Sequence, residues 1–128
     1  MSTTATSRKN NGSGFPSPAE DWLEPRLRLD DLIEHPASTF MVRVRGGAMA
    51  GEGISEGDVL VVDRAVRPRS GAVVVAFAAG EMVVRRIELS PGAVMLNAAD
   101  GSPPHRLAPE EGDLIWGVVR YGIYSLAT

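Results

Sequence analysis

The sequence predicts a mainly β fold with at most one short helix, and three observations lead there. Fourteen glycines and nine prolines are spread through 128 residues, which punctuates the chain into short segments joined by turns. Valine is abundant while aromatic residues make up only 5%, a balance suited to pleated, half-buried surfaces. Between residues 39 and 45 the apolar side chains recur every second position, the periodicity of a strand and not of a helix. The length accommodates one domain with its own core.

Taken in order, residues 1–21 are rich in Ser, Thr, Asn, Gly and Pro, with almost no large apolar side chain except Phe15. Burial there cannot repay the entropy of ordering, so this stretch reads as a mobile N-terminal arm and residues 22–128 as the folded domain. Residues 22–35 space their apolar side chains irregularly, with Pro25 early and Asp30 placed to cap one helical turn. Residues 39–45 put Phe40, Val42 and Val44 on one face and Met41, Arg43 and Arg45 on the other. Residues 58–63, DVLVVD, form a short apolar run bounded by turn formers and read as a buried strand. Residues 72–78 and 82–89 are strands joined through Gly80-Glu81 as a hairpin. Residues 93–98 form another strand, 100–112 a polar, proline-containing loop, and 114–126 a long last strand or strand pair.

Charge and composition exclude several classes of function. The formal charge is -3 and the arginines are interleaved with apolar or acidic residues, so no basic stripe tracks a phosphate backbone and direct nucleic-acid binding is not expected. The chain has no cysteine, which removes disulfides, thiolate metal sites and cysteine nucleophiles. No run reaches the roughly 18 apolar residues of a membrane span, and the start lacks a secretory core, so a soluble cytoplasmic protein is expected. The carboxylates follow no ligand spacing, so no metal and no cofactor are expected. Glycines 46, 47, 51 and 53 lack the Lys-Ser/Thr and following helix of a phosphate cradle.

The segment GGAMAGEGISEGD, starting at Gly46, has the glycine density of a loop built to present a reactive group, yet its centre is Ala48. On the later hairpin strand Val83, Arg85, Ile87 and Leu89 share one face, and Met82, Val84, Arg86 and Glu88 the other. Arg85 therefore projects among apolar neighbours, while Arg86 has the better claim to solvent. On pattern alone a purely structural role is favoured for Arg85, its stem lying on the core and its head reaching water.

The segments GFPSPAEDW (from Gly14), HPASTFMVRVRGGAM (from His35), GISEGDVLVVDRAV (from Gly53), GEMVVRRIEL (from Gly80) and WGVV (from Trp116) resemble, in order and spacing, the UmuD branch of the LexA/UmuD self-cleaving serine peptidases. That resemblance implies the compact β-rich fold of the LexA/UmuD C-terminal peptidase domain, usually as a homodimer. It implies a nucleophilic serine in a Gly-Asp-Ser-Met segment and a lysine general base on a later strand. It further implies an arm cut just before Gly14, at the Ser13–Gly14 junction, under stimulation by a RecA filament. The shortened form joins a Y-family DNA polymerase subunit in error-prone lesion bypass within the SOS response. LexA-type repressors carry an additional DNA-binding domain, and the short polar arm here disfavours that reading.

Residue by residue, Gly46 and Met49 agree with the family segment, but the acidic position is Gly47 and the nucleophile position is Ala48. The general-base position is Arg85. Alanine has no lone pair with which to attack a carbonyl, and a guanidinium does not surrender its proton near neutrality. The expectation is a non-proteolytic relative. Two histories fit: natural loss of the dyad, or a working RecA-stimulated peptidase altered for study, and three simultaneous departures favour the first. A third reading is an antagonist that forms a mixed dimer with an active homologue. Lys9 is the only lysine and lies in the arm, so no rigid Ser/Lys pair can form elsewhere. Ser55 reads as a turn residue, His35 as a helix-end residue before Pro36, and His105 as a solvated loop residue. Arg85, if inward, needs a carboxylate or several carbonyls to meet it, with Glu52, Glu56 or Asp58 the candidate carboxylates. The apolar last segment, including Leu114, Trp116, Tyr121, Ile123 and Tyr124, serves as a dimer interface or a closing core strand.

Overall fold

The computed structural model describes residues 27–126, and the chain divides between Glu34 and His35 into two compact units. The expected arm boundary after residue 21 lies outside the described residues. In the first unit, Leu29–Leu32 forms a single 3₁₀ turn. Asp30 sits inside this turn and does not cap it; the Asp31 carboxylate accepts the Arg28 main-chain N–H at 2.9 Å instead.

The second unit is one seven-stranded sheet: β1 (Thr39–Arg43), β2 (Val59–Asp63), β3 (Val73–Ala78), β4 (Glu81–Ser90), β5 (Ala93–Asn97), β6 (His105–Arg106) and β7 (Leu114–Ile123). The order across it is β1-β2-β7-β3-β4-β5-β6, and every pairing is antiparallel. No α-helix occurs among the described residues; 3₁₀ turns at Pro36–Ser38, Ala50–Glu52 and Pro109–Glu111 accompany the strands. No helix among them is long and apolar enough to cross a membrane.

Alternation places two apolar clusters on opposite faces of the sheet. Val74, Ala76, Ala78, Ile87, Leu96 and Val118 make one; Val44, Leu60, Val62 and Val75 make the other, with Val42, Val84 and Trp116 against it. Successive valines of β3 thus serve different cores, which is why that strand reads as a continuous apolar run. The faces of β4 follow the expected parity, Val83 and Ile87 on the first cluster and Val84 on the second.

The last strand organises the sheet. β7 inserts between β2 and β3 and carries an extra residue against each, Arg120 on the β2 side and Trp116 on the β3 side. Such bulges bend a strand and re-aim its side chains. Trp116 packs at 5.6 Å from the Phe40 ring and beneath the Arg64 guanidinium, 4.7 Å from its centroid. A Cβ on Gly117 would lie 2.6 Å from Val62 Cγ1, so only glycine lets β7 close on fully buried Val62. The first half of β7 closes the core through Val118, whereas Tyr121, Ile123 and the following Tyr124 are exposed.

One expectation fails in the polar 100–112 loop. His105–Arg106 forms strand β6, pairing with Met95 and Leu96 of β5. Two residues after Pro103-Pro104 are too few to show any alternation.

Candidate functional site

The glycine-rich loop is closed at its base by a pair of main-chain bonds, Val44 N–H to Asp58 O at 2.8 Å and Gly57 N–H to Val44 O at 2.9 Å. Met49 is buried, only 2% exposed, and its carbonyl accepts the N–H groups of Glu52 and Ile54. Ser55 is the turn residue expected of it, donating its main-chain N–H to Asp58 Oδ2 at 2.9 Å.

Two contacts bind the loop to neighbouring chain. Ala99 donates its N–H to the Ala48 carbonyl at 2.7 Å, and its own oxygen lies so close to Gly51 that a Cβ there would meet it at 2.4 Å. A backbone oxygen cannot swing aside as a side chain can. Gly51→Ala is therefore expected to lower stability by about 1–3 kcal/mol. Gly47→Ala, whose Cβ would meet nothing within 4 Å, should fall within about 0.5 kcal/mol of the parent. Urea unfolding of the two variants checks the contrast.

Beside the loop runs an open groove of about 550 Å³, walled by residues 42–48 on one side and 81–85 on the other, with Val75 and Asp100 completing it. Ala48 and Arg85 both line it. Arg85 stands opposite Val74 in the β3–β4 ladder, is half-buried, and donates from Nη1 to the Val84 carbonyl at 2.7 Å.

The expected anionic partners of Arg85 are engaged elsewhere. Glu52 pairs with Arg86, receiving Nε at 2.8 and 3.0 Å and also bonded to Nη2. Asp58 caps the Ser55 turn, and Glu56 is exposed. Arg86, expected in solvent, is half-buried and ties the Ala50–Glu52 turn to β4, with a second bond to the Gly71 carbonyl. The hydrogen-bonded guanidinium holds the Glu52 carboxyl below its usual range, and Glu52 in turn raises Arg86. The carboxylate that senses Arg85 is Asp100, lowered first by Ser102 and more weakly by the Arg85 charge. Residue-to-residue distance in sequence gives no hint of that proximity.

His35 keeps its expected helix-end place before the Pro36–Ser38 turn, whereas His105 lies in β6 and not in a loop, and each imidazole is paired with a buried aspartate. His35 Nδ1 lies 2.6 Å from Asp63 Oδ2, and His105 Nε2 lies 2.7 Å from Asp113 Oδ2. Asp63 additionally accepts the Ala65 N–H at 2.8 Å, and Arg120 approaches it at 4.0 Å. Burial alone would push the Asp63 carboxyl upward, but His35, the Ala65 N–H and Arg120 more than offset this and leave it below the usual range. Asp113 is lowered too, first by His105 and then by the Ala108 N–H. These pairs brace the ends of strands. The signal available in the sequence was an aspartate at the end of one apolar strand, Asp63, and another just before a second, Asp113. Ser13, Gly14 and Lys9 lie outside the described residues.

Residues 10–120 match the Peptidase S24-like family. The chain is 42% identical over 113 residues to Protein ImpA of Salmonella typhimurium, covering 88% of this chain and 77% of that protein. It is 43% identical over 114 residues to Protein SamA of Salmonella typhimurium strain LT2, with 88% and 79% covered. Protein MucA of Escherichia coli is 35% identical over 113 residues, with 87% and 77% covered. With the antiparallel β fold and a family match that spans both the loop and the β4 arginines, the chain belongs to the Peptidase S24-like family, on its UmuD branch with ImpA, SamA and MucA.

Proposed function

We propose that this chain is a UmuD-like accessory protein of the SOS response, acting in error-prone translesion DNA synthesis without cutting itself. The observation that carries the reading is the shared groove: Ala48 and Arg85, matched by resemblance to the nucleophile and the general base, line the same cleft. A methyl group and a permanent cation supply, at those two positions, neither an attacking oxygen nor a proton acceptor for acyl transfer. What it retains is a binding groove on a rigid sheet. Its partners on this reading are a second copy of the chain, a RecA filament and a Y-family DNA polymerase subunit, with no direct contact to nucleic acid. Self-association is supported by the exposed end of β7, where Tyr121, Ile123 and Tyr124 present large apolar surface.

The test is an intact-mass measurement after incubating the purified chain with RecA, a nucleotide and single-stranded DNA. The expected result is an unchanged mass. A shortened species beginning at Gly14, generated by this chain alone, would overturn the non-proteolytic reading.

A further inference from the structure

We infer that the groove between the Gly46 loop and β4 binds the free C-terminal carboxylate of an extended peptide, with Arg85 as the residue that recognises the chain end. This rests on the peptidase-type reading of the groove and goes beyond it by naming what an emptied cleft would hold.

Charge is the first ground. Three guanidinium groups, Arg43, Arg45 and Arg85, line the groove against two carboxylates, Glu81 and Asp100, so the site carries an excess of positive charge within a chain of net charge -3. Arg43 is occupied by the Gly57 carbonyl at 2.8 Å. Asp100 is held by the Ser102 main-chain N–H at 2.9 Å. Among the described residues Arg85 has one hydrogen bond, from Nη1 to its own neighbour Val84, and Arg45 is exposed with none. A guanidinium has five N–H donors in a planar fork, and a carboxylate is the group that takes two of them in parallel.

Shape is the second ground. β1 is an outer strand of the sheet. Val44 turns its main-chain groups toward the β2 side, so the alternating main-chain groups of Arg43 and Arg45 turn toward the open edge. An extended peptide can pair with that edge while its side chains meet the accessible apolar groups of the groove, Val42, Met82 and Val84. Chain-end selectivity follows from the residues at the centre. An uninterrupted peptide puts a neutral amide beside Arg85, whereas a chain that stops there puts a full negative charge beside it.

Fluorescence anisotropy with the full chain tests this, using Val-Ala-Val-Ala-Gly labelled at its N-terminus with a neutral dye. The peptide is compared as free acid and as C-terminal amide, together with amidated Val-Ala-Glu-Ala-Gly, whose only carboxylate is internal. The free acid is expected to bind about tenfold tighter than either amide. Arg85→Gln should erase that difference, while Arg106→Gln, whose guanidinium bonds the Gly92 carbonyl away from the groove, should leave it intact. Equal binding of acid and amide by the unaltered chain, no binding of any peptide, or internal glutamate matching the free acid would each overturn the inference. Masses of peptide and chain taken after the titration keep the two readings apart. Shortening of either molecule contradicts the non-proteolytic reading, whereas equal binding with all masses intact contradicts the chain-end inference alone.

Discussion

Restoring Ala48→Ser together with Arg85→Lys will produce a chain that trims its own arm at the Ser13–Gly14 bond, while neither substitution alone will. The nucleophile and its base act as one unit: a serine without a proton acceptor stays a poor nucleophile, and a neutral lysine without a hydroxyl has nothing to activate. A Cβ-borne hydroxyl at residue 48 and an amine at residue 85 would both open into the groove that these positions already line. The expected pattern is no cleavage above background in either single variant. In the pair, a gain of about 10²–10⁴-fold is expected, the usual contribution of a positioned general base, rising with pH as the lysine loses its proton. Adding Gly47→Asp tests whether the missing acidic residue limits the rate. There is space for the new side chain, since a Cβ at residue 47 would meet nothing within 4 Å. Intact mass followed over time, with and without RecA filaments, supplies the readout. A double variant that melts like the parent and stays whole under both conditions would refute the assignment of residues 48 and 85.

Asp63→Ala will be among the most destabilising single changes in the sheet domain, at about 3 kcal/mol. Asp63 is 1% exposed and stands at the end of β2, opposite Thr39 of β1 and Val118 of β7. Its removal takes away two charge-assisted hydrogen bonds, from the Ala65 N–H and the His35 ring, and empties the buried space that the carboxylate fills. Urea unfolding of parent and variant measures the difference; a loss below about 1 kcal/mol would show that the pair is dispensable.

The same carboxylate sets a pH dependence whose sign is fixed by its direction. Asp63 and Asp113 both titrate below the usual aspartate range in the folded chain. Their stabilisation is therefore complete above the unfolded-state value of about 4 and is lost as pH falls through the lower folded-state values. Stability should decline on the acid side of about pH 4, and Asp63→Asn should flatten that decline by removing one of the two groups. Denaturation midpoints recorded from about pH 6 down to about pH 2 give the comparison.

Much of the fold was legible in the order of residues. The 39–45 alternation, the DVLVVD run and the Gly80-Glu81 hairpin became β1, β2 and the β3–β4 pair, because strand periodicity is a property of immediate neighbours and one buried face enforces it. The chemical content of residues 48 and 85 was equally legible, since a methyl group and a guanidinium have the same reactivity wherever the chain places them.

Other features arose only on folding. The entry of β7 between β2 and β3, its two bulges at Trp116 and Arg120, and the brief β6 pairing depend on partners far away in the chain. So does the division of labour between the adjacent arginines: Glu52 reaches Arg86, while Arg85 lines the groove and its charge acts on Asp100. His35 reads as a helix-end residue and His105 as a loop residue until Asp63 and Asp113 are brought to them. Local pattern tells which face a side chain takes, but a charge chooses among all the opposite charges within reach, and only the closed sheet decides which of those are near.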